Sequence, residues 1–360
     1  MRKKVIVSVT NDISTDQRVH KVCQSLQAMG FDVLLWGRLL ASSQSLNRPY
    51  ATKRMRLVFS KGPFFYLEYN LRLFFVLLFS KSHLLLSNDL DTLLANFLAA
   101  KLKRLPLVYD SHELFPEAPE LLNNPFKKKI WENIEAFLLP KVSSAYTVCD
   151  SIAKFYESKY NIVMKVVRNV PYFEESIQIE KLEKTLIYQG GMNPGRGLEL
   201  LIQSMSFIPD FKLKIIGDGD GLKALKILTK NEGVNNRVSF LGRLPFEALK
   251  AHTEQASIGV LFEEAKGLSF EYSLPNKLFD YIHAGTAVMA SPLVEVKRII
   301  ENNTVGDLLS SREPEMVAKQ IVEMHEKINS FEFTKARKEL NWQKEEQVLK
   351  GIFMPFLDKA

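Results

Sequence analysis

Residues 273–285 read Ser-Leu-Pro-Asn-Lys-Leu-Phe-Asp-Tyr-Ile-His-Ala-Gly, and an apolar, strand-like run follows at 287–290. The spacing predicts a short helix aimed at a phosphate. Pro275 fits a first helical turn, Asn276 and Lys277 place a donor and a positive charge beside the free N–H groups of that turn, and Gly285 can end the helix. Asp280 falls about one turn further on, where a carboxylate is badly placed for a phosphate and well placed to accept hydrogen bonds from sugar hydroxyls. Phosphate plus ribose implies a nucleotide.

Other loops carry compatible chemistry. A strand ending at Gln189 runs into Gly190-Gly191-Met192-Asn193-Pro194-Gly195-Arg196-Gly197, whose glycines let backbone approach a ligand while Arg196 supplies a forked cation suited to a diphosphate. Gly217 and Asp218 open a flexible strand-to-helix turn that could border the nucleotide. Gly242 and Arg243 end a further strand, where backbone groups could read a base edge. Nearer the start, Asn11, Asp12, Asp16 and Arg18 follow the first strand, with Ser14 or Thr15 available as an N-cap. They carry more hydrogen-bonding power than a turn requires, which fits a hydroxyl-rich or phosphorylated acceptor. His112 and Glu113 follow Asp110 at another strand end, and a histidine between two carboxylates there is a candidate polar contact or proton-handling group.

These loops need strands to hold them. Strand-like runs fall at 4–10, 32–36, 84–87, 107–110, 145–148 and 165–168, and again, after a break, at 185–188, 212–216, 238–241, 258–262 and 287–290. Helical periodicity fills the gaps, which predicts two doubly wound parallel sheets, an α/β fold of two Rossmann-like domains. The charged, apolar-poor stretch after Pro171 reads as a linker. Expected boundaries are therefore 1–170, linker 171–184, 185–335, and a C-terminal helix in 336–360 that could pack on either domain.

A chain of 360 residues, 46% hydrophobic, suits two cores better than one. Its two cysteines have neither disulfide-framework nor zinc spacing. The first strand starts without a signal core, and no apolar run approaches the ~20 residues of a spanning helix. The expectation is a cytoplasmic protein. A net charge of +7 favours an anionic partner, and without a basic helix, zinc spacing or stacking platform that partner is not expected to be nucleic acid. Residues 53–81 mix cations with aromatics over a helix length. Either one apolar face packs on the first sheet, or the helix is interfacial and touches an anionic leaflet at the inner face of the membrane.

Taken together, residues 10–19, 109–117, 188–197 and 273–285 resemble the retaining nucleotide-sugar glycosyltransferases of family 4, particularly bacterial members that build surface polysaccharides. The resemblance covers nearly the whole chain. It implies the GT-B architecture, two Rossmann-like domains facing a cleft, with a nucleotide-sugar donor on the second domain, a saccharide or lipid-linked acceptor on the first, and no metal or other cofactor. Arg196 matches the slot of a lysine facing the donor diphosphate, Lys277 would assist, Asp280 matches the second glutamate of the Glu-x7-Glu motif, and His112 matches the histidine near the reacting carbon. Two positions depart: Gly191 replaces an arginine, and the first motif glutamate falls on Tyr272, with Glu271 beside it as a candidate substitute. The competing expectations are a nucleotide-sugar epimerase or hydrolase of the same architecture, and a nucleotide-sugar binder without turnover.

Overall fold

The computed structural model describes residues 2–175 and 180–358; part of the expected linker, 176–179, lies outside the described residues. The chain divides into two compact units, one made of Met1–Asn169 with Glu345–Ala360, the other of Val170–Lys344.

In the first unit the strands are β1 (Lys4–Asp12), β2 (Asp32–Arg38), β3 (Ala51–Met55), β4 (Leu84–Asn88), β5 (Leu107–Ser111), β6 (Ser144–Thr147) and β7 (Lys165–Val166). Among the described residues they form one sheet in the order β3-β2-β1-β4-β5-β6-β7, with every pairing parallel. The helices are α1 (Gln17–Ala28), α2 (Pro63–Phe79), α3 (Leu90–Lys103), α4 (Pro119–Leu122), α5 (Pro125–Leu138) and α6 (Asp150–Tyr160). β4 and β5 are buried along their whole length, as strands covered on both faces must be.

The second unit repeats the plan with β8 (Leu182–Gln189), β9 (Lys212–Ile216), β10 (Val238–Gly242), β11 (Ala256–Leu261), β12 (Ala287–Ala290) and β13 (Gly306–Leu308), in the all-parallel order β10-β9-β8-β11-β12-β13. Its helices are α7 (Leu198–Ser204), α8 (Leu222–Asn231), α9 (Phe246–Gln255), α10 (Leu268–Glu271), α11 (Asn276–His283), α12 (Val294–Asn303), α13 (Pro314–Glu326) and α14 (Thr334–Glu339). Two apolar clusters cover this sheet's faces, one including Tyr188, Leu201 and Met289, the other Ile187, Phe279 and Tyr281. The last helix, α15 (Trp342–Asp358), passes from the second unit to the first at residue 344. Within the first unit, Phe353 meets the rings of Phe31 and Tyr146 edge-on, with centroids 6.4 and 6.1 Å away.

Two strands escape sequence reading. β3 (Ala-Thr-Lys-Arg-Met) is polar and mostly solvent-facing, and β13 is three residues long. Both are edge strands, recruited by the backbone hydrogen bonds of a neighbour and not by apolar content of their own. Gly306 is required in β13, because a Cβ there would lie 1.9 Å from the Val288 carbonyl oxygen. β8 begins at Leu182, inside the stretch expected to be linker.

Each sheet has a point where successive crossovers leave in opposite directions: between β1 and β4 in the first unit, between β8 and β11 in the second. Beyond the carboxyl ends of such strand pairs the connecting loops part and leave an opening for a ligand.

Candidate active site

At the second unit's switch point, the loop after β8 and the segment after β11 lie against each other, Glu264 N–H donating to the Gly195 carbonyl at 2.9 Å. Gly197 makes this approach feasible, and Gly190 with Gly217 does the same where the loop after β8 meets the turn after β9. Gly190 and Gly217 adopt φ of +135° and +138°, and a Cβ on Gly217 would fall 1.9 Å from the Gly190 carbonyl oxygen. Gly197, at φ +70°, is pressed on Phe262, whose carbonyl oxygen would be 2.1 Å from its Cβ.

Glu263, two residues past β11, is 1% exposed, and it draws two cations together: Lys277 Nζ stands 2.6 Å from its Oε1 and Arg196 Nη1 stands 3.7 Å from the same atom. The Lys277 ammonium also sits 4.0 Å above the Tyr188 ring, and the position a Gly190 Cβ would take is 3.8 Å from that ammonium. Burial pushes the Lys277 pKa down, and the Glu263 carboxylate works against that. Arg196 keeps a third of its side chain in solvent, with its guanidinium 5.4 Å from the centre of the Phe270 ring. Glu263 is the residue that sequence reading missed. Its signal was position, the first residue after a recognised buried strand, and the expectation went instead to Glu271.

Helix α11 begins at Asn276, with Pro275 outside it as an extended cap at ψ 138°, one position earlier than the sequence implies. Gly285 follows the helix at φ +64°, as expected of a terminator. Asp280 lies within hydrogen-bonding distance of Gln189, the last residue of β8, whose amide donates to its Oδ2 at 2.8 Å while Thr253 donates to the same amide's oxygen at 2.7 Å. Asp218 and Arg243 are both well exposed, 3.7 Å apart, and Gly242 accepts the Gly217 N–H at 2.8 Å, so the ends of β9 and β10 border the same opening. Glu271 ends the short α10 and Tyr272 caps it; neither is the carboxylate that holds the two cations. Gly191 is exposed and accepts the Tyr188 hydroxyl at 2.7 Å.

At the first unit's switch point His112 is clamped. Its Nδ1 is 3.0 Å from Asp89, its Nε2 is 3.1 Å from Asp110, and its backbone N–H donates to Asp89 at 2.8 Å. Burial disfavours the charged ring, but Asp89 and then Asp110 outweigh it and hold the imidazolium well above its usual pKa. Both ring nitrogens are thus engaged, and the two carboxylates favour a positive charge held between them. Asp89, which the sequence reading passed over, precedes α3 at φ +57°, an uncommon backbone state for a residue with a side chain and one that collects at functional sites.

Arg18 lies deeper in the same unit. It is 4% exposed, donates twice to Asp110 at 2.7 and 3.1 Å and once to the Val167 carbonyl at 2.8 Å, and so lies beneath the site as a brace. Burial raises the Asp110 pKa, yet Arg18 and then His112 overturn that and hold it at about 2. Asp16, not Ser14 or Thr15, caps α1, accepting the Val19 N–H at 3.0 Å. Asp12 accepts from Ser14 N–H at 3.0 Å and Ser43 hydroxyl at 2.8 Å. Asn11 is exposed, its amide 3.3 Å from Asp16, and Glu113 is exposed at the start of the next loop. Most of the polar surplus in the first loop thus holds the loop itself. Among the described residues no group of three or more His, Cys, Asp or Glu could hold a metal ion.

Two parallel-sheet Rossmann-like units, each with polar loops at its switch point, define the GT-B class. Residues 16–171 match the family described as Glycosyltransferase Family 4, and residues 183–327 match Glycosyl transferases group 1. The chain belongs to the family-4 type of glycosyltransferases. It is 27% identical over 214 residues to an uncharacterized glycosyltransferase of Methanocaldococcus jannaschii, a match covering 52% of this chain and 53% of that relative, about half the relative's length. In fold it is similar to a sucrose-phosphate synthase from Thermosynechococcus elongatus (TM-score 0.79, 14% identity, 98% of this chain and 99% of that one). It is also similar to the Anabaena protein HepE in complex with UDP and glucose (TM-score 0.75, 15% identity, 98% and 100%).

Proposed function

We propose that this protein transfers a sugar from a nucleoside-diphosphate sugar to a saccharide or lipid-linked acceptor, with retention of anomeric configuration and without a catalytic metal, in the assembly of cell-surface polysaccharide or glycolipid. The observation that carries the reading is the convergence of Lys277 and Arg196 on the single buried carboxylate of Glu263 beside the Gly190 loop. A nucleotide-bearing neighbour of the same fold, the HepE complex with UDP and glucose, supports the donor class.

Glycosyl transfer cleaves the bond between the anomeric carbon and a diphosphate oxygen, so positive charge grows on the sugar ring and negative charge on the leaving group. A catalyst gains most where charge develops. Two preset cations and the N–H groups at the start of α11 meet the departing diphosphate, the work a divalent metal would otherwise do. Glu263 keeps Lys277 charged and aimed. Asp280, oriented by Gln189, accepts from the ribose hydroxyls, and the exposed ends of β9 and β10 border the base. On the first unit, His112 balances and orients Asp89 and Asp110 at the acceptor side.

Arg196→Ala should leave the melting temperature near the parent's and lower turnover by about 10²–10³-fold, the usual loss when one donor to a developing anion is removed; near-normal turnover would sink its assigned role. A thermal-shift panel of nucleoside diphosphates identifies the donor base, since any ligand of the folded state raises melting. NMR of the first-formed product tests retention, and activity that vanishes with EDTA and returns with a divalent ion would refute metal independence.

A further inference from the structure

Lys181 stands one residue before β8 and is partly buried. Its ammonium donates to the Ala284 carbonyl at 2.9 Å and to the Thr286 hydroxyl at 3.0 Å. Ala284 caps the C-terminus of α11, and the Thr286 hydroxyl donates in turn to the Thr253 carbonyl, in the last turn of α9, at 2.7 Å. One lysine thus ties together the C-terminal ends of two helices, which carry partial negative charge and favour a cation. Burial pulls its pKa down to about 8, and Glu254 of α9 opposes that.

From α9 the relay runs on to the end of β8. Thr253, Gln189 and Thr286 are all buried. The Thr253 hydroxyl is 2.7 Å from Gln189 Oε1, and Gln189 Nε2 is 2.8 Å from Asp280 Oδ2. Chemistry fixes which way the amide points: an ionised carboxylate only accepts, so the NH2 group faces Asp280 and the amide oxygen faces Thr253. The Thr253 proton is then shared between Gln189 and the Leu249 carbonyl of its own helix, 2.8 Å away.

Asp280 and Lys277 occupy opposite ends of α11. Asp280 lies one turn before the capped end, its carbonyl accepting the Ala284 N–H at 2.9 Å. Lys277 lies in the first turn, where Glu263 holds it at 2.6 Å over the Tyr188 ring. Between them Tyr281 pins the helix to β8: its hydroxyl is 3.3 Å from both the Gln189 nitrogen and the Ile187 carbonyl, and its ring fills space that a Cβ on Gly259 would enter, 2.5 Å away. Slackening the C-terminal end therefore moves Asp280 and leaves the cation end seated.

We propose that Lys181 is a positioning residue of the donor site: through the C-cap of α11 and the relay of Thr286, Thr253 and Gln189 it sets the direction of the Asp280 carboxylate, and with it the preference for a ribonucleotide over a deoxyribonucleotide. This rests on the nucleoside-diphosphate donor proposed for the site, with Asp280 on the ribose hydroxyls. It adds that discrimination at the ribose is governed from the segment that leads into β8.

Binding of UDP, ADP, GDP and CDP, and of their 2′-deoxy and 3′-deoxy forms, is measured by calorimetry for the full chain and for Lys181→Met and Thr253→Val. The parent is expected to favour the ribose form of the base it accepts by about tenfold or more, the weight of a hydrogen bond to a charged group. Each variant should shrink that preference to about threefold or less while its affinity for the deoxy forms stays within about twofold of the parent's, because the grip on the diphosphate is untouched. Lys181→Met keeps the apolar stem and Thr253→Val keeps the shape, so either one reports if the other fails to fold. Variants that keep the parent's ribose preference overturn the proposal, even where melting falls. So does an equal loss for ribose and deoxyribose forms, which would make Lys181 a support of the fold alone. A parent that binds one of the diphosphates without preferring ribose also overturns it and leaves the donor reading standing; a parent that binds none overturns both.

Discussion

Glu263 separates two cations that would otherwise repel each other, and its chemistry is open to test one atom at a time. Glu263→Gln keeps the shape and removes the charge. Lys277, already pushed down by burial, then loses the carboxylate that supports its protonation. The alkaline limb of the kcat/KM profile, which reports the free enzyme, should move to lower pH, and kcat/KM at neutral pH should fall. An unmoved limb would show that Lys277 does not need this counter-charge. The Glu-x7-Glu match pointed to Asp280, which lies on α11 within reach of Gln189, and its first slot pointed to Glu271, because a motif counts along the chain, whereas the buried carboxylate between the two cations is Glu263, in the segment after β11. His112 shows the same limit: its type and strand-end position were legible, its clamping by Asp89 was not, since Asp89 lies 23 residues away. A group whose folded pKa is raised contributes stability that is complete below its unfolded value and disappears as pH rises through the folded one. His112→Ala should therefore cost most stability in mildly acidic buffer and progressively less in strongly alkaline buffer, as read by urea unfolding.

At the scale of elements, the start of α3 stores a titration. Asp91, in its first turn, is buried, accepts the Thr10 hydroxyl at 2.5 Å, and is pushed up to about 7 by burial first and by Asp89 next. The unfolded chain releases this proton near pH ~4 while the folded chain holds it to about 7, so stability is lost as pH rises through that window. Asp91→Asn is expected to raise the melting temperature at pH 8 and to leave it unchanged at pH 4, tracked by circular dichroism. In the second unit, the crossing of the loops after β8 and β9 depends on Gly217. Gly217→Ala should destabilise by about 1–3 kcal/mol in urea and weaken nucleoside-diphosphate binding, since the Gly190 backbone must retreat from the new methyl. Long buried strands such as β4 and β11 announced themselves by composition; β3 and β13 did not, because an edge strand is selected by its partner's backbone. The expectation for residues 53–81 offered two readings of one helix, packing or surface contact, and α2 has an apolar stripe on each side: Phe65, Tyr69, Leu73 and Leu77 are buried, and Phe64, Leu67, Leu71, Phe75 and Phe79 are exposed.

For the whole molecule, the terminal helix decides which unit the chain's end completes. Phe353 is fully buried against Phe31 and Tyr146, so Phe353→Ala should destabilise the first unit by about 3–5 kcal/mol and leave the second unit's transition in place, visible as one early phase in a urea titration. A single shifted transition would show instead that the two units unfold together. By itself the sequence determined the α/β class, the repetition of a parallel-sheet plan, and the loops at strand ends, because burial of both sheet faces demands apolar runs and because glycines, capping residues and cations act over a few neighbouring positions. Only the tertiary structure decided which carboxylate meets which cation, that Arg18 braces the site from below, which strands sit at the edges, and where the last helix lies. Those outcomes depend on atoms brought together from distant parts of the chain, and their energies arise from burial and charge that no local spacing records.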